Sequence, residues 1–156
     1  MFRQKLSLVF AALAIFGTHA FADSAPTLSL GSVECKSSTI EIPVTFTPGS
    51  KSVASLQFIL GVPSGWTFVS ASAGPAATKA GKSATANPTK ANVIVFGLNQ
   101  NIIGSGIVAN VTLRAPQNVA SGSVPISILT PIFSDAQGHA VKGNQTSGNI
   151  QVSGKK

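Results

Sequence analysis

Between Thr39 and Phe46 the chain alternates: Ile40, Ile42, Val44 and Phe46 fall on one parity, and Thr39, Glu41 and Thr45 on the other. Successive side chains of a strand point to opposite faces, so this run is a strand with one face in a core. A helix would need apolar positions three and four apart, and no such stretch occurs after the first two dozen residues. Two further segments repeat the pattern. Leu56, Phe58 and Leu60 oppose Ser55, Gln57 and Ile59, while Ile107, Ala109, Val111 and Leu113 oppose Val108, Asn110, Thr112 and Arg114. Val93 to Phe96 is apolar on both parities, which predicts a strand covered on both sides. Thr27–Leu30 reads as a first edge strand continuing past Gly31 to Cys35. Pro43 cannot donate to a ladder and assigns its strand to an edge or a bulge. The stretch from Gly74 to Lys90 is a long connection carrying one or two short edge strands, and any helical turn at Ala76–Ala80 is cut short by Gly81. The expected fold is all-β, an antiparallel two-sheet sandwich of about nine strands in a jelly-roll arrangement.

The first 22 residues stand apart from this pattern. Arg3 and Lys5 precede an apolar run from Leu6 to Phe16, and Gly17 to Ala22 ends in an Ala-x-Ala site. That is the layout of a secretory signal peptide cut after Ala22, and the run is shorter than the roughly 20 residues a spanning helix requires. Residues 23–156 then form a single sandwich domain that is secreted, extracellular or periplasmic, with no membrane insertion after cleavage. Nine Lys and Arg remain against Asp23, Glu34, Glu41 and Asp135, a balance of +5. The lysines are scattered and read as solvated, so no nucleic-acid partner is expected. Cys35 is the lone cysteine; in a strand-like stretch it is expected to be partly buried, the alternative being an intermolecular bridge.

Catalytic chemistry has little to work with. His139 is the only histidine after residue 22, and it lies with Asp135 in a turn-like segment. Four acids are a poor supply for a carboxylate pair, and no His/Cys cluster offers a metal site. The expectation is therefore no catalytic residues, no metal, no cofactor and no enzyme. Phe46, Phe58, Phe68, Phe96 and Phe133 all fall on apolar faces and read as core, leaving no flat aromatic for sugar stacking. One loop does not fit a bland core. Gly97 to Gly104 is rich in amides, with Asn99, Gln100 and Asn101 followed by Ile102 and Ile103.

A series of segments, in order, resembles the bacterial cohesin family. They include Ile42-Pro43-Val44-Thr45-Phe46, Val53 to Leu60, Phe68 to Gly74, Val93 to Gly97, Gly104 to Leu113 and Phe133 to Val141. The resemblance spans about Leu28 to Val152. It implies a nine-stranded jelly roll that holds a dockerin on one sheet, and an ancestry shared with some carbohydrate-binding modules. In cellulosomal cohesins, Asn and Asp on the third strand and an acid beyond the central strand hold the dockerin. The corresponding positions here are Ser55, Gln57 and Gln100, so the carboxylates are replaced by neutral groups. Charge-assisted bonds are about twice as strong as neutral ones, so the pairing of cellulosomal dockerins is not reproduced at these positions, and a partner with different pairing chemistry is left open. The resulting expectation is a secreted, non-catalytic module that binds a protein of the dockerin type through Ser55, Gln57, Asn99, Gln100 and Asn101, within extracellular polysaccharide-degrading machinery. The alternative is a carbohydrate-binding module that takes polysaccharide directly.

Overall fold

The computed structural model describes residues 23–153; the expected signal peptide and its expected cleavage site lie outside the described residues. Twelve strands and one short helix are present among the described residues. One sheet is ordered β11-β1-β3-β8-β5, made of Asn144–Thr146, Thr27–Leu30, Thr39–Thr47, Gly106–Arg114 and Thr67–Ala73. The other is ordered β2-β12-β9-β4-β7-β6, made of Ser32–Cys35, Gly148–Val152, Gly122–Ser134, Ser55–Gly61, Asn92–Phe96 and Ser83–Asn87. Strand β10 (Ala140–Val141) is attached to β9. Pairing is antiparallel throughout except at β1 with β11 and β12 with β2, which are parallel. This is the two-sheet β-sandwich that the alternating pattern predicts.

The alternation accounts for the core. Ile40, Ile42, Val44 and Phe46 on β3 are buried, as are Leu56, Phe58 and Leu60 on β4. The two sheets meet through these side chains, and the rings of Phe46 and Phe133 lie 5.9 Å apart between centroids. Cys35 belongs to this core and its Sγ donates to the carbonyl of Ser37. Trp66 is buried as well.

Several strands depart from the expected reading for identifiable reasons. Strand β3 is interior, between β1 and β8, despite Pro43. On one side β1 ends at Leu30 opposite Val44, so its ladder has stopped before Pro43 is reached. On the other, the register to β8 shifts between Val44 and Thr45. That shift pairs Thr45 with Ile107 and skips Val108. Val108 is therefore buried and Ile107 only half-buried, the reverse of strict alternation. The long connection holds a five-residue helix α1 (Pro75–Lys79), with Pro75 in its first turn, and then the single edge strand β6.

The first strand is broken in two by a crossing between sheets. β1 pairs with β3, whereas β2 pairs with β12 in the opposite layer. Gly31 joins them, and Gly148 passes so close that a Cβ on it would stand 2.5 Å from the Gly31 oxygen and 2.8 Å from the Leu30 Cβ. Backbone cannot yield as a flexible side chain would. Gly148→Ala is expected to destabilise the fold by about 1–3 kcal/mol, read as a lower urea midpoint with unchanged slope.

Candidate docking face

Part of the outer surface of the larger sheet is built by the neighbouring strands β9, β4, β7 and β6, whose inner residues fill the core. Strand register places Ile132, Gln57, Ile94 and Thr85 side by side across β9, β4, β7 and β6. The next row is Leu129, Ile59, Asn92 and Asn87. Toward the other end, Ser134 pairs with Ser55 and Phe96 with Ser83. None of these residues is charged. Leu129, Ile132 and Phe96 are 45%, 51% and 43% exposed, and Ile59 and Ile94 are half-buried between them. Large apolar side chains in a contiguous exposed group mark an interaction surface, unlike the same residues scattered singly.

Phe96 is a correction to the expected core, and Val93 to Phe96 is covered on one side only. Val93 and Val95 point inward, while Ile94 and Phe96 face out. Leu129 and Ile132 share the outer face because β9 carries an extra residue. Residues three apart on a regular strand face opposite ways. Here the ladder runs Ile59 with Leu129 and then Gln57 with Ile132, leaving Thr130 and Pro131 opposite Phe58 alone. Thr130 adopts φ 43°, a left-handed conformation that a β-branched residue rarely accepts. Bulges re-aim side chains in this way. The same irregularity lets Ile128 and Phe133 both face the core.

The amide-rich loop runs along the ends of these strands. It leaves β7 at Phe96 and returns beside β4, where the Ile103 amide donates to the carbonyl of Val53 at 2.7 Å. Ile103 is buried, whereas Leu98 and Ile102 stand out in solvent. The loop is clasped from below. Asn99 Nδ2 donates to the Gly81 carbonyl at 2.9 Å, and Asn101 Nδ2 to the Ala80 carbonyl at 3.1 Å. Asn99 Oδ1 accepts from the Asn101 amide at 3.0 Å. A Cβ on Gly97 would come within 2.9 Å of both the Gly81 oxygen and the Lys82 Cδ, so the close approach requires glycine. Between this loop and α1 lies an open groove of about 650 Å³, lined by Ala76, Lys79, Gln100, Asn101, Ile102 and Ser105.

The expected site residues thus divide. Ser55 and Gln57 lie half-buried on the outer face, and Gln100 is exposed on the loop beside it. Asn99 and Asn101 are drawn into the same region, but their amides hold the loop to the segment after α1. The residues that sequence reasoning missed are Leu129, Ile132, Ile94 and Phe96. Asp135 and His139 close a turn, as their spacing indicates. Asp135 Oδ1 accepts from the backbone amides of His139 and Gln137, and these bonds, with the His139 ring, hold its carboxyl below the usual range. Among the described residues no three His, Cys, Asp or Glu side chains gather as a metal site would require.

Lys82 is not the solvated lysine its scattered spacing predicts. It is 4% exposed, and its Nζ donates to the Asn99 carbonyl at 2.8 Å. Burial disfavours its charged form and lowers its pKa. The folded state then binds fewer protons than the unfolded one at pH values between this lowered pKa and the ordinary value of about 10.4. Stability contributed through Lys82 therefore rises with pH across that window. The difference between wild type and Lys82→Met in urea unfolding is expected to move toward wild type as pH rises into the alkaline range, and a constant difference would contradict this.

The family profile "Cohesin domain" matches residues 26–152. Among solved structures, the third ScaB cohesin of R. flavefaciens, in complex with a group 1 dockerin, superposes with a TM-score of 0.67 at 14% identity over 86% of this chain and 99% of that one. The sixth cohesin of Acetivibrio cellulolyticus scaffoldin B, in complex with a Cel5 dockerin mutant, gives 0.65 at 19% identity over 83% and 100%. A non-cellulosomal cohesin of the archaeon Archaeoglobus fulgidus gives 0.65 at 17% identity over 84% and 93%. Curated proteins give no match. With a β-sandwich architecture common to these structures and a profile match over nearly all of the described residues, this chain belongs to the cohesin domain family.

Proposed function

We propose that this protein is an exported, non-catalytic docking module that binds a dockerin-type protein on the outer face of its larger sheet. Export follows from the leader-like residues 1–22, with residues 23–156 as the working domain. The observation that carries the reading is the uncharged part of the outer face across β9, β4, β7 and β6, on which Leu129, Ile132 and Phe96 stand exposed beside Gln57 and Ser55. Support comes from the family, since cohesins of the same fold have been seen in complex with dockerins. A role in extracellular polysaccharide-degrading machinery is the setting this reading implies. A protein–protein contact of this type buries about 800 Å² per partner.

The test is binding of the immobilised protein to a panel of dockerins. A Ser55→Ala, Gln57→Ala, Gln100→Ala triple variant is expected to weaken the dockerins that bind by about tenfold or more, as three neutral hydrogen bonds at about 0.5–1.5 kcal/mol each would. Equal binding by both forms would remove those positions from the site. Direct polysaccharide binding is the lesser reading. Among the phenylalanine and tryptophan rings of the described residues, Phe96 alone is more than a third exposed, and no second such ring accompanies it to form a stacking platform. No depletion of the protein by insoluble cellulose, chitin or xylan is expected.

A further inference from the structure

We infer that the partner meets this face with an apolar, uncharged surface, and that no lysine or arginine of the partner is buried at the centre of the contact. The inference rests on the docking reading above and specifies its chemistry. Twelve residues, in two registered rows of four and the pairs Ser134–Ser55 and Phe96–Ser83, include no ionisable group. All five large apolar side chains exposed among the described residues lie on this face or on the loop at its end: Phe96, Leu98, Ile102, Leu129 and Ile132. The face therefore concentrates what water disfavours and offers no countercharge.

A cationic partner side chain brought against this surface would lose its hydration and find only neutral acceptors. Gln57 is the most central of these, held between Ile132 and Ile94 in its row. Burying a charge without an opposite charge is far more costly than burying a neutral group that finds a hydrogen bond. An apolar side chain in the same place gains from the area removed from water. The charges nearest the face do not alter this balance: Asp135, directly after Ser134, has its carboxylate on the Gln137 and His139 amides and the His139 ring. Lys82 is buried behind the loop with its Nζ on the Asn99 carbonyl, and Lys79 lies on α1 beyond the loop. Lys90 sits at the turn between β6 and β7, at the rim. Charges at a rim act on the association rate and its salt dependence, whereas the desolvated centre sets the dissociation rate.

The experiment is selection from a display library built on the R. flavefaciens group 1 dockerin, randomised at its cohesin-contacting positions. Selection is on the wild-type protein, with counter-selection on Leu129→Glu and Ile132→Glu forms whose thermal unfolding matches wild type. The expected winners carry aliphatic or aromatic residues at the centre and are depleted of Lys and Arg. Their dissociation rates should change by less than about twofold between about 50 and 500 mM NaCl, a range over which the Debye length shrinks several-fold. Winners enriched in Lys or Arg at the centre, with dissociation accelerated by salt, would overturn the inference while leaving the docking reading intact. Failure to enrich any dockerin, or enrichment that ignores the two Glu substitutions, would overturn the docking reading and the inference with it.

Discussion

Replacing Leu129 and Ile132 together by glutamate is expected to weaken dockerin binding by more than about 100-fold while leaving the fold intact. Each side chain stands about half exposed on the outer face, so neither replacement opens a cavity. Surface changes of this kind usually move stability by less than about 0.5 kcal/mol. In a complex the same positions would lie under the partner. Removing two buried apolar side chains forfeits about 1.5–3 kcal/mol each, and two carboxylates without partners add their own desolvation cost. Since 1.4 kcal/mol corresponds to about a tenfold change, a 100-fold loss is the lower bound. Surface plasmon resonance reads the binding, and thermal unfolding of the same samples verifies the fold. Retained affinity would place the contact elsewhere on the molecule.

Phe133→Ala should produce the largest loss of stability among single substitutions. Its ring is 1% exposed, faces Phe46 across the sandwich, and fills space that Gly143 leaves free; a Cβ on Gly143 would collide with that ring. Phe133 is also paired with Leu56 and with Val141, so it sits where β4, β9 and β10 converge. Truncation of a buried phenylalanine costs about 3–5 kcal/mol, because the surroundings close only partly over the cavity. Native domains have about 5–15 kcal/mol in total, so the variant should unfold at a much lower denaturant concentration. Phe96→Ala supplies the contrast. That ring is 43% exposed, and its removal should barely move the midpoint. Equal losses at the two positions would contradict the inward and outward assignment of these phenylalanines.

The alternating runs were legible because burial on one face leaves a two-residue period in the residues themselves. Ile40 to Phe46 and Leu56 to Leu60 could be assigned inward, and the polar parity of β4 pointed to Ser55 and Gln57 on the outer face. The apolar half of the candidate site was not legible in this way. Val93 to Phe96 is hydrophobic on both parities, and nothing local distinguishes a strand covered twice from one that offers its outer side to a partner. Leu129 and Ile132 are three residues apart, and only the extra residue at Thr130 brings them to one face. Ile107 and Val108 exchange places for the same kind of reason. Lys82 looked like any other isolated lysine, since its burial depends on a loop arriving from 17 residues further along the chain.

From its residues alone this chain is an all-β polypeptide with a leader-like start and little catalytic equipment, and the ordered segments carry a cohesin resemblance. Those properties are written in period, composition and order, which are local or additive along the chain. Which strand pairs with which, where Pro43 finds a place inside a sheet, and which apolar side chains are left facing water were decided only in three dimensions. Bulges, crossings and loop contacts depend on residues distant in sequence, and a single inserted residue reverses the face of everything that follows it.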